Sequence, residues 1–294
     1  MDMLVSTDWL ASQIAAGPES SGIVILDASA HLPDAQRDAR VEFAAAHIPG
    51  ARFLDLSTLI DPDSAVPAAI PTAAQFAARL GSLGVSSGDQ LVIYDDSAVK
   101  TSARAWFIAR LHGAPCAILD GGLGKWRAEG RPLESGAPPI TAASYQAGTG
   151  TGLVRSKADM IANLTSRSEQ VVDARGAARF SGAEGDFRPN VASGHIPGSL
   201  NLPFGKLYNP DGTFKSAEGL RAAFADAGVD IDAPIATTCG GGVTAAVLLF
   251  ALGLLGQDQV SLYDGSWSEW GTDPATPKEL SPEVAASGPT GAGA

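Results

Sequence analysis

Pro234-Ile235-Ala236-Thr237-Thr238-Cys239-Gly240-Gly241-Gly242-Val243 runs from a short apolar stretch through a cysteine into three consecutive glycines. Pro234 to Thr238 reads as a short buried strand, and Val243 to Leu255 is an almost unbroken apolar run long enough for a helix. Strand, tight turn and helix in succession are the unit of an α/β fold, in which ligands sit beyond the carboxyl ends of the strands. Cys239 falls at such an end. The glycines let successive backbone N–H groups point at one spot, and the helix N-terminus adds partial positive charge there. Both effects favour the thiolate, which is the nucleophilic form of cysteine.

Three other readings of the loop fit less well. A lone cysteine is most often a small buried hydrophobe, but three glycines are costly in an ordinary strand-to-helix turn. A nucleotide-phosphate loop needs Gly-Lys-Ser/Thr, and the next basic residue after this loop is Lys278. A cysteine-dependent phosphatase needs an arginine a few residues beyond its cysteine, and none is present.

Outward from the loop, the chain repeats itself. His47-Ile48-Pro49-Gly50 returns as His195-Ile196-Pro197-Gly198, and Asp27-Ala28 after an apolar run returns as Asp173-Ala174. Gly84-Val85 matches Gly228-Val229, Asp120-Gly121 matches Asp264-Gly265, and Trp126 matches Trp270, all at one offset of 144 residues. Two copies are too few for a stacked array, so this is a domain written twice. Each copy has a polar helix start (Ser6-Thr7-Asp8; Ser156 to Asp159), a buried strand, an Ala-rich helix and a short strand near the His-Ile-Pro-Gly turn. A second helix follows (Thr72 to Leu83; Ser216 to Ala227), then a strand (Gln90 to Tyr94; Ala233 to Thr238), a long helix and a last strand ending at Asp-Gly. This alternation predicts an α/β fold in each half, a mostly parallel sheet with helices on both faces. The expected boundaries are a first domain over 1–134, a linker rich in Gly, Ala, Pro and Thr over 135–152, a second domain over 153–277 and a disordered tail over 278–294.

The two copies differ where chemistry is expected. At the offset of 144, Cys239 faces Asp95, and the glycine loop has no counterpart. Arg175, Arg179 and Arg188 align roughly with Ser29, Pro33 and Glu42. One active site per chain is therefore expected, in the second domain, with the first inactive.

Composition bounds the partners. The 294 residues are 45% hydrophobic and 18% charged, which suits a soluble globular protein, and the net charge of -12 argues against nucleic acid or an anionic membrane. An anionic substrate must then be held by a local cluster of arginines. Two cysteines, Cys116 and Cys239, form neither a disulfide framework nor a metal-ligand spacing, so a reduced cytoplasmic setting is expected and no metal. Met1 to Ile14 lacks the basic start of a signal peptide, and no apolar run reaches the roughly 18 residues of a membrane span.

The tandem layout, the paired His-Ile-Pro-Gly turns, Val172-Asp173-Ala174-Arg175, the Cys239 to Ala245 loop and Tyr263-Asp264-Gly265-Ser266-Trp267-Ser268-Glu269-Trp270 together resemble the two-domain rhodanese and 3-mercaptopyruvate sulfurtransferase family. The likeness covers about residues 4–275. It implies two tandem rhodanese-like domains and a persulfide carried on Cys239. That persulfide would be held by the backbone of Gly240, Gly241, Gly242, Val243 and Thr244, with no metal or organic cofactor. The donor would be a small anion, and the acceptor cyanide or a thiol, either a small thiol or a thioredoxin-like protein.

Thiosulfate enzymes of the family resemble Cys-Arg-Lys-Gly-Val-Thr in this loop, and mercaptopyruvate enzymes resemble Cys-Gly-Ser-Gly-Val-Thr. With Gly241 at the discriminating position the loop has neither lysine nor serine, and its neutrality favours mercaptopyruvate. Arg179 and Arg188 sit where mercaptopyruvate enzymes carry the pair that binds the substrate carboxylate and keto oxygen. His47 and Asp38 are candidates, by the same resemblance, for a proton relay. Arg175 could be an ion-pair partner only, Trp267 and Trp270 read as packing, and Cys116 as structural. The alternatives are a thiosulfate sulfurtransferase and, in another class, a persulfide carrier loaded by a partner protein.

Overall fold

The computed structural model describes residues 1–17, 22–148 and 153–281, and within them the written repeat becomes two five-stranded sheets of identical order. The first is built from β1 (Leu4–Val5), β2 (Ile23–Asp27), β3 (Arg52–Phe53), β4 (Gln90–Tyr94) and β5 (Cys116–Leu119), arranged β1-β5-β4-β2-β3. The second takes β6 (Val154–Arg155), β7 (Gln170–Asp173), β8 (Leu200–Asn201), β9 (Ile235–Thr238) and β10 (Val260–Tyr263) in the order β6-β10-β9-β7-β8. Every neighbouring pair is parallel. Right-handed crossovers that move first one way and then back across such a sheet place helices on both of its faces. The α/β, mostly parallel reading of each half is met.

The helices of the first half are α1 (Thr7–Ala16), α2 (Ala39–Ala45), α3 (Ala73–Ser82), α4 (Ser102–Leu111) and α5 (Gly122–Ala128). Those of the second are α6 (Lys157–Ser166), α7 (Ala177–Ser181), α8 (Ala217–Asp226), α9 (Val243–Leu254) and α10 (Ser266–Trp270). The polar starts read in the sequence are N-caps. Ser6 accepts the N–H of Trp9 before α1, and Ser156 with Asp159 forms a capping box before α6. Helix α9 is buried from Ala245 to Leu252 without a polar face, as its unbroken apolar sequence requires. Trp267 and Trp270 are core, beside Met160 and Tyr263.

The chain falls into two compact units, and their boundaries depart from the sequence expectation at three places. Leu207–Ala217, placed by sequence in the second domain, groups with the first unit. There Leu207 is fully buried, the Phe214 N–H donates to Asp120 Oδ1 at 2.9 Å, and the Lys100 ammonium stands 5.0 Å from the centre of the Tyr208 ring. Periodicity shows that a segment packs, but not against which core. The expected linker is fastened as far as residue 148: N–H groups of Gly136, Ala143 and Gly148 donate to the carbonyls of Ala44, Gly81 and His112. Residues 149–152 lie outside the described residues, as do 282–294 of the expected tail.

Lys278 to Ser281, by contrast, are held and are not the start of a disordered segment. Glu279 and His195 exchange backbone hydrogen bonds of 2.9 and 3.0 Å, and the Glu279 carboxylate accepts the Gly198 N–H at 2.8 Å. Glu134 does the same for His47 and Gly50 in the first unit. Each His-Ile-Pro-Gly turn is thus strapped by a glutamate further along the chain, and each closes on a glycine at φ +75°.

Candidate active site

Strand β9 delivers Cys239 to the end of the second sheet, and the glycines turn the chain into α9. Gly242 adopts φ +79°, in the left-handed region, as the chain enters α9, and its N–H donates to Sγ of Cys239 at 3.1 Å. Sulfur therefore accepts a backbone hydrogen bond at the start of a helix, the arrangement that stabilises a thiolate or a persulfide anion. Cys239 is 2% exposed, while Gly240 and Gly241 beside it are half-buried and carry no side chain to close the approach. Val243 and Thr244 begin α9 and are half-buried as well.

The N-terminus of α10 clamps the other side of the loop. The N–H of Trp267 donates to the Cys239 carbonyl at 2.9 Å and that of Ser268 to the Gly240 carbonyl at 2.9 Å. The Cys239 N–H donates to Ser266 Oγ at 3.3 Å, and that hydroxyl donates onward to the Tyr263 carbonyl at 2.8 Å. Ser266 pays for this with φ +49°, uncommon for a residue with a side chain; its counterpart Gly122 stands at φ +56°. Ser266 and Ser268 were absent from the candidates drawn from the sequence. A signal existed in Asp264-Gly265-Ser266, where the second copy has serine in place of the first copy's glycine.

Arg188 is drawn to the loop. Its Nη1 donates to the Gly240 carbonyl at 2.8 Å, and Nε and Nη2 hold the Asp186 carboxylate at 2.8 and 2.7 Å. Burial alone would raise the Asp186 carboxyl, but the hydrogen bonds from Arg188 outweigh it and keep that carboxyl below its usual range. Three of the five guanidinium N–H bonds thus have partners among the described residues, which leaves two for an anion. Arg179 sits in the last turn of α7 with Nε 3.0 Å from Glu184 Oε1. The two guanidiniums meet at Phe187: each Cζ is 5.2 Å from the centre of its ring. Cys239, the glycine loop and Arg188 are brought together directly, and Arg179 stands one ring away.

Arg175 is structural. It is buried, pairs bidentately with Asp173, donates to the Gly194 carbonyl and lies 4.5 Å from the centre of the Trp267 ring. The Cys116 thiol lies against the Trp106 carbonyl, and burial pushes it up to about 12, which leaves it protonated and inert at neutral pH.

His47 and Asp38 both carry structural duties within the first unit. Asp38 caps α2, its Oδ1 accepting the N–H groups of Arg40 and Val41 at 2.9 and 3.1 Å. His47 is 1% exposed, stacks on Phe43 with ring centres 4.0 Å apart and donates from Nδ1 to the Phe43 carbonyl at 2.7 Å. His195 repeats this in the second unit, stacked 3.8 Å from Phe180 and bonded to its carbonyl at 2.8 Å. A residue that does the same work in both copies serves the turn they share.

The counterpart of Cys239 is equally telling. Asp95 directly follows β4, and its Oδ2 accepts the Ser102 N–H at 2.9 Å and the Thr101 hydroxyl at 3.1 Å where α4 begins. A carboxylate there accepts an N–H at the start of the following helix, as sulfur does in the other copy, but from the first helical residue and not from the one before it. Burial pushes the Asp95 carboxyl up to about 6. The arrangement in the second unit can form a covalent bond at sulfur and hold the resulting anion; that in the first cannot.

Comparison with known proteins agrees with this geometry. The model of the rhodanese-like domain matches residues 6–129 and again 156–273. The 3-mercaptopyruvate sulfurtransferase of Rattus norvegicus is 39% identical over 270 residues, which span 91% of this chain and 91% of the rat protein. The thiosulfate sulfurtransferase of Gallus gallus is 38% identical over 270 residues, 91% of this chain and 92% of that protein. Among solved structures, SseA from Escherichia coli, described as a 3-mercaptopyruvate sulfotransferase, superposes with a TM-score of 0.81 at 36% identity, covering 92% of this chain and all of SseA. No helix among the described residues is long and apolar enough to cross a membrane.

Proposed function

Because this chain belongs to the rhodanese-like family, carrying the domain twice, we propose that it is a sulfurtransferase that moves sulfur from 3-mercaptopyruvate through a persulfide on Cys239 to a thiol or to cyanide. The observation that carries the reading is the Gly242 N–H on Sγ of Cys239 in a loop with no basic side chain of its own and one arginine, Arg188, bound to it from outside.

In the first half-reaction the Cys239 thiolate attacks the donor's thiol sulfur, the S–S bond forms and the C–S bond breaks. The electron pair leaves with the carbon as the enolate of pyruvate, which takes a proton to become pyruvate. Arg188 and Arg179 hold the donor's carboxylate and keto oxygen, for which planar guanidinium groups are suited. In the second half-reaction an acceptor thiolate or cyanide attacks the outer sulfur, and Cys239 leaves as thiolate. Backbone N–H groups from Gly240 to Thr244 hold the persulfide between the two. Such covalent two-step chemistry gives ping-pong kinetics. A small thiol and a thioredoxin-like protein thiol are both suitable acceptors, and a reducing compartment such as the cytoplasm fits the two free cysteines.

Thiosulfate is the second reading, favoured by the near-equal identity to the Gallus gallus thiosulfate enzyme. The test is a steady-state comparison of the wild type and Cys239→Ser with each donor against cyanide. A mercaptopyruvate preference of roughly tenfold or more in kcat/KM, lost on substitution, supports the proposal. A thiosulfate preference selects the second reading. Persulfide formed only when another protein is added makes the chain a carrier.

A further inference from the structure

Phe187 is an exposed aromatic ring on a segment that holds four charges. The side chain is 57% exposed, the one aromatic among the large, strongly exposed apolar side chains of the described residues. A single exposed apolar side chain is ordinary by itself, and it is the neighbours of this ring that set it apart. Here both of its neighbours are cations, Arg179 and Arg188, each with its guanidinium carbon 5.2 Å from the ring centre. Two like charges sharing one ring would repel, and the same short segment supplies an anion for each, Glu184 for Arg179 and Asp186 for Arg188.

The two ion pairs are unequal. Asp186 is 3% exposed in its side chain and grips Arg188 with both oxygens, and Arg188 is tied again to the Gly240 carbonyl. That guanidinium is fixed relative to the cysteine loop. Glu184 is 56% exposed and holds Arg179 through one hydrogen bond, the kind of surface pair that water and other anions displace readily. Arg179 can therefore exchange its carboxylate partner, whereas Arg188 keeps its own. The ring face of Phe187 is what remains constant for Arg179 across that exchange, and it sets how far Arg179 stands from the fixed cation.

We propose that Phe187 is a positioning residue for the sulfur donor: its ring holds Arg179 at a set spacing from Arg188, so that a donor carboxylate replaces Glu184 without the guanidinium leaving its place. This rests on the reading of the two arginines as the donor clamp. Phe187 touches neither the reacting sulfur nor Cys239 in this account; it acts through Arg179. Two guanidiniums suit a donor with two adjacent acceptor groups, such as an α-keto carboxylate, more than a compact sulfur oxyanion, which one guanidinium can hold by itself.

The experiment compares Phe187→Ala, Phe187→Leu and Phe187→Tyr with Arg179→Ala, Arg188→Ala and the double variant Phe187→Ala/Arg179→Ala, using 3-mercaptopyruvate and thiosulfate at saturating cyanide. Expected for Phe187→Ala is a rise of about tenfold in KM for 3-mercaptopyruvate, with kcat within about threefold and a smaller rise for thiosulfate. Phe187→Tyr, which keeps the ring, restores the KM, and Phe187→Leu, which keeps apolar bulk only, does not. The double variant is no worse than Arg179→Ala alone, because the ring acts only through that arginine. If Arg179→Ala and Arg188→Ala leave both KM values unchanged, the clamp reading fails. If those two raise KM while Phe187→Ala does not, or if the two single effects multiply in the double variant, the clamp stands and the role of Phe187 is overturned.

Discussion

The N–H of Gly242 lies 3.1 Å from Sγ of Cys239, and Gly242 stands at a positive φ of +79° where the chain enters α9. A Cβ at this position costs about 1–2 kcal/mol in the left-handed region, or forces the peptide to turn and withdraw the N–H. Gly242→Ala is therefore expected to fold with a modest loss of stability and to form persulfide about tenfold more slowly. Single-turnover release of pyruvate from 3-mercaptopyruvate reads the rate directly. An unchanged rate would remove this N–H from the chemistry.

In the first unit the Ser102 N–H meets Asp95 instead, and that substitution carries a pH signature. The Asp95 carboxyl is pushed up by burial to about 6, above the value of an unfolded aspartate near 4. The protonated form is the one the fold prefers. The stability contribution is fully present below about pH 4 and is lost as pH rises through 6, by an amount on the order of 3 kcal/mol. Asp95→Asn keeps a carbonyl oxygen for the two donors that both use Oδ2, Thr101 and Ser102. Urea denaturation of the variant between pH 4.5 and 8 should lack that decline and make it the more stable protein above about pH 6. Parallel curves for the two proteins would mean that Asp95 titrates like a solvated carboxyl.

His47 and His195 offer a test that uses the duplication as its own control. Each loses one hydrogen bond to a carbonyl and one stack on phenylalanine when replaced by asparagine, a cost of about 1–2 kcal/mol in either copy. Equal losses of stability, with kcat/KM of His47→Asn within about threefold of wild type, are expected of turn residues. A kcat fall of a hundredfold confined to His47→Asn, with an altered pH profile, would restore it to a proton relay.

The sequence carried the strand and helix order because each element is long enough to show its period, and the strand order repeats because the repeat does. Two-residue strands such as β1 and β6 have no period to read, and they pair only once the sheet exists. Cys239 was legible because three glycines in a row need a reason. The clamp by Trp267 and Ser268 was not, since it uses backbone N–H groups that any residue possesses. The ring between Arg179 and Arg188 lies in the stretch after α7 that has no regular structure, where spacing along the chain says nothing about distance. His47 shows the opposite case. The sequence held a structural reading, in the turn repeated as His195, beside the catalytic one that the family resemblance implies.

Gly241 is where the donor question can be put most directly. Its φ is not in the left-handed region, and a Cβ there would meet Nη1 of Arg188 at 3.8 Å and Oγ of Ser268 at 4.0 Å, ordinary contact distances. Both Gly241→Ser and Gly241→Lys should therefore fold within about 0.5 kcal/mol of the wild type, as surface changes without a clash do. The serine would stand at the loop mouth between Arg188 and the Ser268 hydroxyl, able to pass a proton to the departing carbon of 3-mercaptopyruvate. The expected result is a rise in kcat for that donor and little change for thiosulfate. The lysine would add a second positive charge beside Arg188, which favours a dianion over a monoanion in a half-buried site. Its expected result is a shift of about tenfold or more in the kcat/KM ratio toward thiosulfate. If both variants keep the wild-type ratio, the residue at this position does not select the donor, and the selection lies with Arg179 and Arg188.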